Sequence, residues 1–147
     1  AWSGKSEHNN DINRSIALER LAPLLALPFE FHVLQNAVRP TDQSTLEQFP
    51  QIRCYGAALT NFAETAALAG EMDLVISVDT SLAHLAGALG LPVWIMLPFS
   101  PDWRWLVDRP DSPWYPNARL YRQPALLDWD SVIATVCREV QARFPAS

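Results

Sequence analysis

Leu74-Val75-Ile76-Ser77-Val78-Asp79-Thr80-Ser81-Leu82-Ala83-His84-Leu85-Ala86-Gly87-Ala88-Leu89-Gly90-Leu91-Pro92-Val93-Trp94-Ile95-Met96-Leu97 holds two hydrophobic periods in one stretch. The runs 74–78 and 93–97 are almost continuously apolar, the pattern of strands buried on both faces. Between them Leu82, Leu85, Ala86 and Leu89 recur at i, i+3, i+4 and i+7, which predicts a helix over 81–89 with those residues inward. Gly90 and Pro92 end it. A strand, a helix and a second strand joined by short links form a right-handed crossover between parallel neighbours.

The same alternation extends in both directions. Phe31–Leu34 and Ile52–Tyr55 read as further strands, and Ala1-Trp2-Ser3-Gly4 as the tail of another. Ile16–Ala26 places Ile16, Leu21, Leu24 and Leu25 roughly on one helical face. Asn61–Glu71 is alanine-rich and opens on Asn61, a good N-cap. Trp129–Phe144 is the last helix, with Asp128 or Asp130 near its start. The prolines between Pro98 and Pro124 predict a long structured loop, anchored by Phe99, Trp103, Trp105, Trp114 and Tyr115. The fold expected is α/β: a Rossmann-like parallel sheet with helices on both faces, one domain over 1–147. A chain opening on the tail of a strand reads as a piece of a longer protein.

The chain's 147 residues, 49% hydrophobic and 18% charged, are enough for a real core and exclude a disordered tail or a fibre. Sixteen acidic against eleven basic residues give −5, which argues against a nucleic-acid partner. A phosphate site stays open, because it needs only a local cation and oriented backbone N–H groups. Cys54 and Cys137 are too few and too far apart for a disulfide scaffold or metal motif, and read as buried free thiols. No targeting segment or transmembrane segment is visible, so the expected location is the cytoplasm, with the inner face of the membrane left open.

The chemistry gathers at two turns. In an open parallel sheet, ligands bind beyond the carboxyl ends of the strands. The turn Asp79-Thr80-Ser81 lies there, and the helix start that follows has unpaired N–H groups and partial positive charge. Thr80 and Ser81 add hydroxyls, and His84 follows on the same side of the helix. Gly4-Lys5 lies on the same rim, with Arg14 at the head of the next helix. A point charge and a guanidinium fork together suit a diphosphate. The plainer reading is a capped helix, a half-buried histidine and a solvated loop, and the residues alone leave both open.

Taken together, Trp2-Ser3-Gly4, Asn10-Asp11-Ile12-Asn13-Arg14-Ser15 and Asp79 through Gly90 resemble the C-terminal domain of the heptosyltransferase-like bacterial glycosyltransferases of family nine. Leu97 through Trp105 and Asp111 through Pro116 resemble the branch fused to tetratricopeptide repeats. The resemblance implies the C-terminal half of a B-type, two-domain glycosyltransferase. That half would bind the nucleotide-sugar donor, and the enzyme would be inverting and metal-independent, with no cofactor. Asp79, Thr80, Ser81 and His84 match the donor motif: Thr80 and Ser81 for the pyrophosphate, Asp79 for the sugar, His84 for the phosphate or ribose. Lys5 and Arg14 match the early polar loop, and Gly56–Asn61 the base-contacting loop. Ser81 stands where heptosyltransferases proper usually carry glycine. The implied partners are a nucleotide sugar, an acceptor glycan, lipid or protein, the N-terminal half and tetratricopeptide repeats. The catalytic base is expected in the N-terminal half, so that this chain alone binds nucleotide without transferring sugar. The competing expectations are a non-catalytic binding or scaffold module, and a sugar-nucleotide epimerase.

Overall fold

The computed structural model describes residues 1–145, so residues 146–147 of the expected domain lie outside it. Its centre is a parallel sheet of β3 (Val75–Val78), β4 (Val93–Leu97) and β5 (Ala118–Arg122), with β4 in the middle. Pairing runs from Val75–Val93 to Val78–Met96 on one side and from Val93–Ala118 to Leu97–Arg122 on the other. β1 (His32–Val33) and β2 (Arg53–Cys54) form a second, short parallel pair. Between the two pairs lies the start of the chain. The nitrogen of Ala1 donates to the Ile76 carbonyl at 2.9 Å, and its carbonyl accepts from Val78 N–H at 3.0 Å.

All five residues of β4 are buried, and its alternation divides the core. Trp94 and Met96 join one apolar cluster, and Val93, Ile95 and Leu97 the other. Over the first face lies α6 (Trp129–Arg143), which buries Trp129, Val132, Ile133, Val136 and Val140. Each such side chain contributes roughly 1.5–3 kcal/mol by leaving water. Beside it pack a 3₁₀ turn (Leu18–Leu21) and α2 (Ala22–Leu25). Against the second face lie α4 (Phe62–Gly70) and α5 (Ser81–Ala88). The short helices α1 (Asp11–Arg14) and α3 (Pro40–Glu47) border β1. The molecule is therefore mixed α/β, a Rossmann-like arrangement of parallel strands flanked by helices.

Several expectations are corrected. Residues 98–124 are not all loop, because β5 crosses that stretch. Its arginines hid it: Arg119 faces outward across the Trp94 and Tyr121 rings, with Nη2 2.8 Å from Glu139 Oε2. Trp105 is fully buried, Tyr115 packs against the second cluster, and the exposed Trp114 donates its indole N–H to the Arg104 carbonyl at 3.0 Å, while Phe99 and Trp103 are exposed. Ile16–Ala26 is not one helix: Ala17 is extended, Leu18–Leu21 is a 3₁₀ turn, and α2 starts only at Ala22, with Pro23 in its first turn. Residues 2–4 form no ladder. The N–H groups of Trp2 and Ser3 both donate to Gln35 Oε1, a side chain in place of a strand. On α5 the buried stripe is Leu82, Ala83, Ala86 and Gly87, while Leu89 is 49% exposed. Cys54 is an exposed free thiol, and Cys137 is half-buried.

The small inward face of α5 has a reason. A Cβ built on Gly87 would stand 2.5 Å from Cγ of Tyr115, so the tyrosine ring lies directly on the helix backbone. Gly87→Ala gains helix propensity but forces the ring away. We predict a net loss of about 1–3 kcal/mol in urea-unfolding stability. A variant more stable than the parent would show that the ring does not rest there.

Candidate functional site

Two hollows flank the sheet at opposite ends. One, about 400 Å³, lies toward the amino ends of β1 and β3 among Phe31, Val33, Leu74 and Ile76. The other, about 890 Å³, opens beyond the carboxyl ends of β1, β2 and β3. Crossover topology puts ligands at the carboxyl ends, and only the second hollow combines a cation with a helix start. The second is therefore the candidate site. It brings together Lys5, Asn61, Thr80 and Ser81 from the residues singled out in the sequence.

The start of α5 shapes this cleft. Thr80 occupies the N-cap position with extended backbone, yet no side chain caps the first turn. By contrast α4 and α6 are capped: Asn61 Oδ1 accepts from Glu64 N–H at 3.0 Å, and Asp128 Oδ1 from Ser131 N–H at 3.1 Å. The Thr80 hydroxyl instead meets Ser77 Oγ at 3.0 Å. Ser77 spends its own hydrogen on the Val78 carbonyl at 2.8 Å, so Thr80 is the donor of the pair. What α5 presents to the cleft is its orphan N–H groups and the exposed Ser81.

Arg14 does not line the cleft. Its Nη1 donates to the carbonyl of Asp79 at 2.8 Å, and its guanidinium lies against Gly4, where any side chain would collide with it. Arg14 thus ties the loop after Gly4 to the turn before α5.

Asp79 and His84 also turn inward. The His84 ring stacks on Trp105 with centroids 5.0 Å apart, places Nδ1 2.9 Å from the Tyr115 hydroxyl, and Nε2 3.3 Å from Asp79 Oδ1. Burial alone would raise the Asp79 pKa. The His84 hydrogen bond, the nearby Trp105 indole and the charges of His84 and Arg14 outweigh it and hold the carboxyl below its usual range. The Trp105 N–H has no partner at hydrogen-bond distance, so it acts on the carboxylate as a nearby dipole.

Two cleft residues carried no signal in the sequence. Arg39 lines the wall and donates through Nη2 to Asp11 Oδ2 at 2.6 Å and to the Gly4 carbonyl at 3.0 Å. Phe62, the first residue of α4, also lines the cleft and is 64% exposed. Arg39 precedes a proline in a polar stretch, and Phe62 reads as one more apolar helix residue.

With this geometry in view, the family described as glycosyltransferase family 9 (heptosyltransferase) matches residues 45–96. That match supports a glycosyltransferase of family nine. It begins in α3, ends in β4, and so contains the loop before α4, the Asp79 turn and all of α5. Lys5 and Arg14 lie before it. No curated protein and no solved structure matches the chain. Among the described residues no helix is long and apolar enough to cross a membrane.

Asp79, with 14% of its side chain exposed, belongs to a largely buried polar cluster. Asp79→Asn is expected to cost about 1–3 kcal/mol of folding stability at neutral pH, because His84 loses its carboxylate partner and Arg14 a nearby negative charge. The carboxyl has a depressed pKa in the folded chain, so its contribution is complete above the unfolded value near ~3.9 and fades as pH falls below it. Urea titrations of both proteins from pH 7 down to pH 3 check the sign. The gap between them should stay constant to about pH 4 and then narrow; a gap that widens in acid would contradict it.

Proposed function

We propose that this chain is the donor-binding half of an inverting, metal-independent glycosyltransferase that uses a nucleoside-diphosphate sugar. The observation that carries this reading is the uncapped start of α5, which opens with Lys5 into a large cleft at the carboxyl ends of the strands. The family match across the same turn supports it. In the transfer, an acceptor hydroxyl oxygen bonds to the anomeric carbon as the bond to the β-phosphate oxygen breaks. The diphosphate leaves with the electron pair, and the acceptor proton passes to a base.

The role of this chain is to stabilise the leaving group. Oriented N–H groups and a cation favour the diphosphate most when its extra charge develops. Ser81 stands at the helix start and Lys5 supplies the charge. Arg14 holds the two loops in register, and Asp79 and His84 fix the turn from behind. Asp79 and His84 are thus positioning residues in this scheme, and the base comes from an N-terminal half, which the acceptor also occupies.

Calorimetry with nucleoside diphosphates tests the reading through two variants. Ser81→Asp places a carboxylate where the phosphate would sit; it suits a helix start and so preserves or raises stability. The expected result is binding reduced below detection with an unchanged or higher melting temperature. Lys5→Ala should weaken binding about five- to tenfold, more at low salt than at high. Undiminished affinity in Ser81→Asp would place the diphosphate elsewhere.

A further inference from the structure

A single aromatic side chain in the cleft has no structural employment. Phe62 is 64% exposed and, among the described residues, belongs to neither apolar cluster and pairs with no other ring. A large apolar side chain held in water at the head of a helix contributes nothing to folding. Its position is nevertheless well fixed, since Asn61 caps the helix immediately before it through Glu64 N–H. The ring shares its cleft with Lys5, Thr80 and Ser81. Other exposed aromatics, Phe99, Trp103 and Trp114, do not line this cleft.

We infer that Phe62 is the stacking platform for the nucleobase of the donor, so that the cleft selects a nucleoside diphosphate over a bare diphosphate. This rests on the phosphate-site reading of α5 and adds the group that recognises the other end of the ligand. A base covers an exposed ring face to face, removing apolar area from water and adding stacking attraction. Every base has such a face, so the platform rewards the presence of a base more than its identity. Thr60 and Thr65 line the same cleft, but the Thr65 hydroxyl already donates to the Asn61 carbonyl at 3.2 Å.

The experiment is calorimetry on the chain with ADP, UDP and inorganic pyrophosphate, using the parent, Phe62→Ala and Phe62→Trp. The parent should bind ADP and UDP more tightly than pyrophosphate. Phe62→Ala should weaken both nucleotides about 5- to 150-fold and leave pyrophosphate unchanged, and Phe62→Trp should restore nucleotide binding. If the parent binds pyrophosphate and Phe62→Ala binds nucleotides as the parent does, the stacking role is overturned while the phosphate site stands. If Phe62→Ala loses pyrophosphate in equal measure, the ring shapes the cleft and does not read a base. If the parent binds neither nucleotide nor pyrophosphate, both readings fall.

Discussion

The hydrogen bond from Arg14 to the carbonyl of Asp79 joins the parts of the molecule on which everything else depends. It links the loop that begins the chain to the turn between β3 and α5, residues far apart in sequence. It adds to the two hydrogen bonds by which Ala1 joins β3, and sets Gly4 and Lys5 against the start of α5. The same turn is gripped from behind by the Asp79 carboxylate, which meets His84, itself stacked on Trp105 and bonded to Tyr115. The turn is thus held on its buried side by charge and aromatic contact, and its other side is left to the cleft.

This division of labour explains why so many polar residues near the turn do not face the ligand space. A helix start can serve an anion only if its own side chains do not occupy its N–H groups. Thr80, the natural cap, is drawn to Ser77. Asp79, which would compete with an anion by charge, is turned toward His84. Arg39 plays a comparable part on the facing wall, neutralising Asp11 while holding the Gly4 carbonyl. The cleft keeps Lys5 and Ser81 exposed beside Ser6, Glu7, Asn36, Thr60 and Asn61, with Phe62 as an exposed ring.

Much of the architecture was legible in the sequence because burial on both faces leaves an unmistakable mark. β3 and β4 follow the apolar runs nearly residue for residue, α5 keeps its expected span while its buried stripe shifts to Ala83 and Gly87, and Asn61 announced α4 by its capping chemistry. β5 was not legible, since its two arginines look like loop residues until Trp94, Tyr121 and Glu139 are placed around the outward Arg119 and the carbonyls of Trp105 and Arg109 around the half-buried Arg122. The extended backbone of Ala17 and the 3₁₀ turn after it overrode an apparent helical stripe. Among site residues, Lys5, Asn61, Thr80 and Ser81 do meet in one cleft. His84 looked available because helical spacing puts it on the side of Thr80; the buried Trp105 and the Tyr115 hydroxyl, distant in sequence, claim that side. Phe62 and Arg39 were silent, because exposure is a property of the folded surface and not of a residue type.

The central claim is that the first turn of α5 receives a diphosphate, and backbone amide shifts test it most directly. In ¹⁵N–¹H spectra of the labelled chain titrated with pyrophosphate, the N–H signals of Ser81, Leu82 and Ala83 should move most, in the downfield direction of a new hydrogen bond to an anion. Saturating shifts confined to other loops, with these three unmoved, would contradict it.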